Sequence, residues 1–257
     1  MDGKTMASSE AMVPATDEGF LRGDGAFEVI RVYDGRPFAL AEHLDRLEVS
    51  AAGLLMDPVP RAEFEREAAE LLEARGGPAF DGVLRLVLTR EGRRMLFTEP
   101  LPGRSGAMRL GSVTYAPTRV LDGLKTLSYA ANMLAGRLAR SRGFDEALLV
   151  SPHGRVLEAP TASIFWVDSG GTICTPPLDD HILASITRQR ILDLVEVNQC
   201  NGTLDDLGSA TEVFLASTTR EAQPVSAIDD HTFPELGEQT AHVAQELRAN
   251  IQAELAG

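Results

Sequence analysis

The run Ala26-Phe-Glu-Val-Ile-Arg-Val-Tyr33 is followed at once by Asp34-Gly35 and then by Pro37-Phe-Ala-Leu-Ala41. β-Branched and aromatic residues on one side of an Asp-Gly pair and a second apolar run on the other spell a β-hairpin, because the central residues of its tight turn need positive φ. A lone hairpin is barely stable in water, so the chain must cover it. Leu40, Leu44, Leu47, Ala51 and Leu54 recur at helical spacing, and Phe64, Ala68, Leu71 and Leu72 do so again after the break Asp57-Pro-Val-Pro60. Gly76-Gly77-Pro78 ends the second helix, and residues 83–89 and 108–115 read as further strands of the same sheet. Residues 1–115 thus read as a small α+β domain.

Residues 116–123 read as a linker. Beyond it, residues 127–142 read as a helix and 146–150 as a strand. Pro152-His153-Gly154 turns into Arg155-Val-Leu-Glu158, Ser163-Ile-Phe-Trp-Val167 is another strand, and Asp168-Ser-Gly-Gly171 turns into Thr172-Ile-Cys174. Residues 182–197 read as a helix and Glu212-Val-Phe-Leu-Ala216 as a strand, while Leu236, Val243, Leu247, Ile251 and Leu255 mark a closing helix with one apolar face. Residues 124–257 make the larger, second domain of an α+β protein.

Composition narrows the partners. Of the 257 residues 44% are hydrophobic, enough for one or two cores, and the net charge of −14 disfavours nucleic acid and anionic membranes. Small molecules or other proteins remain. No stretch approaches the roughly 20 apolar residues that span a bilayer, and the opening residues lack the basic-then-apolar layout of a secretion signal, so the sequence places the chain in the cytoplasm. Two cysteines are too few for a disulfide framework, and five scattered histidines offer no metal centre. Gly23-Asp24-Gly25-Ala26-Phe27-Glu28 lacks a third glycine and precedes a strand, which excludes a dinucleotide fingerprint. Phosphate loops, zinc-protease motifs and hydrolase elbows are absent as well.

Lysine occurs only at Lys4 and Lys125. Arginine has replaced it wherever a generic positive charge serves, so a lysine deep in the chain is either a survivor of drift or a group kept for its chemistry. Only lysine can shed its proton and act as a nucleophilic amine.

Several segments, in one order, resemble the class IV aminotransferases, pyridoxal-phosphate enzymes of fold type IV. They are Arg22-Gly-Asp-Gly-Ala-Phe-Glu-Val-Ile-Arg-Val-Tyr33, Glu42-His-Leu-Asp-Arg-Leu47, Lys125-Thr-Leu-Ser-Tyr129, Asp145-Glu-Ala-Leu-Leu149 and Gly154-Arg-Val-Leu-Glu158. Ser163-Ile-Phe165, Thr175-Pro176, Ile182-Leu-Ala-Ser-Ile-Thr-Arg188, Glu212-Val-Phe214, Ser217-Thr-Thr219 and Pro224-Val225 complete the set. The resemblance implies a small N-terminal α/β sandwich domain, a larger C-terminal pseudo-barrel domain and a homodimer. It also implies roles. Lys125 matches the lysine that bonds the cofactor aldehyde and moves the substrate's α-proton, and Glu158 matches the carboxylate that keeps the ring nitrogen protonated. Arg46, Ser185, Ile186, Thr187 and Thr218 match the phosphate cradle, with Ala184-Ser185 standing where Pro-Gly is usual, and Tyr129 matches a group near the ring hydroxyl.

Substrate contacts expected from the same resemblance are Phe27, Arg22, Arg85, Arg94, Thr218 and Thr219, with Arg90 and Arg93 in the same bordering segments. D-amino-acid enzymes tend to carry tyrosine at Phe27 and an Arg-x-His pair near Arg93-Arg94-Met95. Branched-chain enzymes favour an arginine at Arg85, and aminodeoxychorismate lyases a threonine at Val29. The leading expectation is a transaminase working between an amino acid of D- or branched-chain type, or an amine, and a 2-keto acid. The alternatives are a lyase releasing pyruvate and 4-aminobenzoate from aminodeoxychorismate, and a non-catalytic member of the fold.

Overall fold

The computed structural model describes residues 1–103, 106–234 and 236–256. The chain divides into two compact units, Met1–Pro102 with Leu124–Tyr129, and Gly103–Gly123 with Ala130–Gly257.

In the first unit a short helix α1 (Glu18–Arg22) precedes strand β1 (Gly25–Tyr33), which turns into β2 (Arg36–Pro37). Asp34 and Gly35 have φ of 46° and 77°, the double positive-φ turn that an Asp-Gly pair serves. Any side chain at Gly35 would strike the Gly77 carbonyl, so glycine is required on two grounds. The second run stops at Pro37 instead of continuing to residue 41, because Ala39 adopts left-handed φ and starts helix α2 (Leu40–Gly53). Helix α3 (Arg61–Arg75), β3 (Gly82–Thr89) and β4 (Arg94–Glu99) follow, and the sheet order is β2-β1-β3-β4, antiparallel throughout. One face carries Ala26, Ile30, Val32, Leu84, Leu86 and Leu88, and Leu44, Leu47, Ala51, Phe64, Ala68 and Leu72 of the two helices close over it. Each fully buried leucine contributes roughly 1.5–3 kcal/mol.

The second unit holds β5 (Met108–Thr114), α4 (Ala130–Ser141), β6 (Glu146–Val150), β7 (Ser163–Val167), β8 (Ile173–Thr175) and α5 (Ile186–Leu194). β9 (Val197–Gln199), α6 (Leu204–Gly208), β10 (Glu212–Ser217), β11 (Glu221–Ile228), β12 (His231–Thr232) and α7 (Glu238–Ala256) complete it. Its sheet runs β6-β5-β11-β10-β7-β8-β9, with β12 on β11. β5, grouped by the sequence with the first domain, lies between β6 and β11 and pairs parallel to both. β11 escapes a pattern search because Pro224 interrupts it; a bulge follows at Val225/Ala227 in its pairing with β5.

Three expectations shift at their ends. The helix read from residue 127 begins at Ala130, the one read over 182–197 spans Ile186–Leu194, and residues 155–158 form isolated bridges rather than a strand. The closing helix buries Val243, Leu247 and Ile251 as its spacing predicts, and Glu212 caps its start by accepting the Gln239 and Thr240 N–H groups at 3.0 and 2.8 Å.

Candidate active site

In the first unit the two faces of β1 divide the work. On the helix-covered face Ala26, Ile30 and Val32 are apolar, but the fourth position of that face is Glu28, fully buried and opposite Leu86. A carboxylate there needs compensation, and α2 provides it from one side through His43 and Arg46, three residues apart. Arg46 donates from Nε and Nη2 to the two Glu28 oxygens, each at 2.7 Å, and His43 Nδ1 meets Glu28 Oε2 at 2.7 Å. Burial alone would raise the Glu28 carboxyl. The Arg46 charge and bonds, with help from His43, win and hold it at about 2. Burial pushes His43 down, against the pull of Glu28, and the Arg46 and Lys125 charges push the same way. A neutral His43 therefore donates its Nδ1–H to an ionised Glu28.

Lys125 belongs to the opposite face. β2 pairs only with Val32 and Tyr33, leaving the start of β1 open on that edge, and residues 125–127 take the place. Phe27 N–H donates to the Lys125 carbonyl at 3.2 Å, Leu127 N–H to the Gly25 carbonyl at 2.8 Å, and Ala26 bridges Thr126. Those bonds keep the segment extended, which is why the helix begins only at Ala130. Lys125 N–H also donates to Ser50 Oγ at 3.0 Å. Its Nζ lies 4.5 Å from the Phe27 ring centroid and 5.9 Å from that of Tyr129, and the two rings meet edge to face at 5.4 Å.

The candidate arginines separate. Arg22 is exposed and pairs with Glu18 on its own helix. Arg94 bonds Glu67 at 2.7 Å, Arg93 reaches Asp2 at 2.9 Å, and Arg90 forks onto Asp24 at 2.7 and 3.0 Å. Arg85 forks onto Glu99, and its guanidinium carbon lies 5.8 Å from the Phe27 ring centroid. It shares the Phe27 face with Lys125, since it stands opposite Val29 on β3.

The second unit holds the other candidates. Glu158 pairs its backbone with β6, where Leu149 N–H donates to its carbonyl at 2.8 Å, and its carboxylate oxygens accept the Leu183 N–H at 3.4 and 3.3 Å. Ser185 caps α5, its Oγ accepting the Arg188 N–H at 3.2 Å, so Ile186 and Thr187 are the first two helical residues and their N–H groups have no acceptor inside the helix. Thr218 and Thr219 follow the last residue of β10, Ser217, whose Oγ is buried without a hydrogen-bond partner.

Glu28, His43, Ser50, Arg188 and Ser217 carry no role in the sequence reading. The first two had a signal: a charged residue in the apolar-face register of a strand, and a His-x-x-Arg spacing on the helix facing it.

The family model for Amino-transferase class IV matches residues 25–228. A Methanocaldococcus jannaschii protein provisionally named a branched-chain-amino-acid aminotransferase is 36% identical, over 89% of this chain and 87% of its own length. The bifunctional aminodeoxychorismate lyase / D-amino acid transaminase of Mycobacterium tuberculosis is 32% identical, over 91% and 92%. Among solved structures, the fold IV transaminase of Curtobacterium pusillum superposes with a TM-score of 0.86 at 32% identity, covering 97% of this chain and 92% of that one.

Proposed function

The chain belongs to the class IV aminotransferases, pyridoxal-phosphate enzymes, and from that premise we propose that it carries an amino group from a D- or branched-chain amino acid, or an amine, to a 2-keto acid. The observation that carries the reading is Lys125, one of two lysines, held extended on the edge of β1 with its amine over Phe27 and Tyr129.

The residues fit the cofactor. In the second unit the first turn of α5 offers amides, and the orphaned Ser217 hydroxyl lies beside Thr218, while Arg46 keeps the phosphate role that its match to the family gives it. These groups together with Ser185, Ile186, Thr187 and Thr218 suit a phosphate dianion. When bound, pyridoxal phosphate supplies the electron sink that renders the substrate's α-proton labile.

The chain's own residues supply the rest. Lys125 Nζ would hold the cofactor through its aldehyde and, when freed by the substrate's amine, would be the base that accepts and returns the α-proton. Glu158 presents a negative partner to the ring nitrogen and Tyr129 a hydroxyl to the ring oxygen. Phe27 is the expected contact of the substrate side chain, Thr218 and Thr219 are given substrate contacts by the family match, and Arg85 receives the substrate carboxylate in exchange for Glu99. Arg22 and Arg94 are the weaker assignments, because Arg22 is exposed and pairs with Glu18 on its own helix and Arg94 is engaged by Glu67 of α3.

The working unit is a homodimer in the cytoplasm. In support, α4 turns Ala135, Gly136 and Ala139 inward and leaves Met133, Leu134 and Leu138 exposed, an apolar strip suited to a second copy. Light scattering should read twice the chain mass. A fully active monomer removes the dimer.

The visible spectrum of the cofactor-loaded protein tests the function. Addition of D-alanine, L-leucine, L-glutamate or a chiral aryl amine in turn should bleach the cofactor band with one donor class. The relative named as a lyase favours a second reading, and release of pyruvate and 4-aminobenzoate from aminodeoxychorismate, with no donor bleaching the band, would establish it.

A further inference from the structure

Arg188 is the third residue of α5, and its side chain runs inward rather than to solvent. Only 2% of the residue is exposed. Its Nη2 donates to the Pro176 carbonyl and to Gln199 Oε1, both at 2.8 Å, while its own N–H is capped by Ser185 Oγ. Pro176 follows β8 and Gln199 ends β9, strands that pair in parallel with Thr175 beside Gln199. One guanidinium thus fastens the first turn of α5 to the ends of two strands.

A buried cation is a costly fastener. Desolvation lowers its affinity for its proton, the Glu158 carboxylate being the charge that opposes this, and Nε is buried with no hydrogen-bond partner. Neutral side chains could tie a helix to a strand at lower cost. A structural role alone gives no reason for a cation there, whereas a site that must gather phosphate and a carboxylate-paired ring does.

We propose that Arg188 is a positioning residue for the cofactor: it locks the Ser185, Ile186 and Thr187 groups in the orientation that receives the phosphate and sets a fixed positive charge behind them. This rests on the phosphate role given above to the first turn of α5. Lysine at the same place keeps the charge but cannot hold two acceptors in the planar fork.

The experiment titrates apo-protein with pyridoxal phosphate and, separately, with pyridoxal, which lacks the phosphate, following the fluorescence of Trp166, the one tryptophan. Arg188→Met should weaken pyridoxal phosphate about tenfold or more and leave pyridoxal within about twofold. Arg188→Lys should fall between, and Gln199→Ala, which trims an exposed partner, should cost about threefold on the phosphate form alone. Thermal melts accompany each variant, and if Arg188→Met does not fold, the Lys and Gln199 variants carry the test. Equal losses for both ligands, or wild-type affinity in folded variants, overturn the proposal. If the wild-type protein itself shows no preference for the phosphorylated form, the phosphate role of α5 fails instead.

Discussion

The two units handle buried charge in opposite ways. In the first, the buried Glu28 accepts two bonds from Arg46 and one from His43, all at 2.7 Å. In the second, Arg188 is as deeply placed, yet one of its nitrogens has no partner, and Ser163 Oγ, Ser217 Oγ, Asp180 Oδ2 and Arg220 Nη1 share that condition. Among the described residues the first unit has one such atom, Arg31 Nε. A saturated network serves rigidity, because every group already has its best partner. Unspent hydrogen-bonding capacity is strain until a ligand takes it up, so the second unit is where bound phosphate should stabilise most.

That contrast can be broken in three ways. Glu28→Gln should cost most, about 3–5 kcal/mol by chemical denaturation, since it leaves the Arg46 cation with a neutral partner in a site only 12% exposed. A loss under about 1 kcal/mol would mean that the network is not saturated.

Acid should act next. The Glu28 carboxyl is held at about 2, below its unfolded value, so its contribution is complete above the unfolded value and is lost as pH falls towards 2, about 3 kcal/mol in all. His43 is also lowered, so the unfolded chain takes up a proton there first, and stability already declines as pH drops below about 6.5. Both signs agree. Melts from pH 7 to 3 should show a monotonic fall whose part below about pH 4.5 Glu28→Gln removes while the His43 part stays, and an unchanged fall below that pH would assign it elsewhere.

Smallest is Ser217→Ala, which removes a hydroxyl without a partner and should change apo-protein stability by no more than about 0.5 kcal/mol. It should still weaken cofactor binding several-fold. A large loss of apo stability would show that the hydroxyl is already spent.

The residues explain what could be read without the structure. Hairpin, helices and closing helix were legible because their periods and their Asp34-Gly35 turn are local properties. β11 was not, since Pro224 inside a strand contradicts the local rule; it stands one residue before the pairing with β5 begins at Val225. Lys125 was legible from the near absence of lysine and from the family pattern, but the start of the next helix at Ala130 rather than residue 127 was not, because open bonding positions on β1 hold Leu127 extended. Arg46 looks solvent-facing by spacing. Only the strand opposite, with Glu28 in the apolar register, reveals why it turns inward.

The central claim is that Lys125 is the amine that holds pyridoxal phosphate. Borohydride reduction of the loaded protein, followed by peptide mass mapping, tests it most directly. The account predicts a stable phosphopyridoxyl group on Lys125, lost in Lys125→Arg together with turnover. Label confined to Lys4 or the N-terminal amine, or turnover surviving in Lys125→Arg, would contradict it.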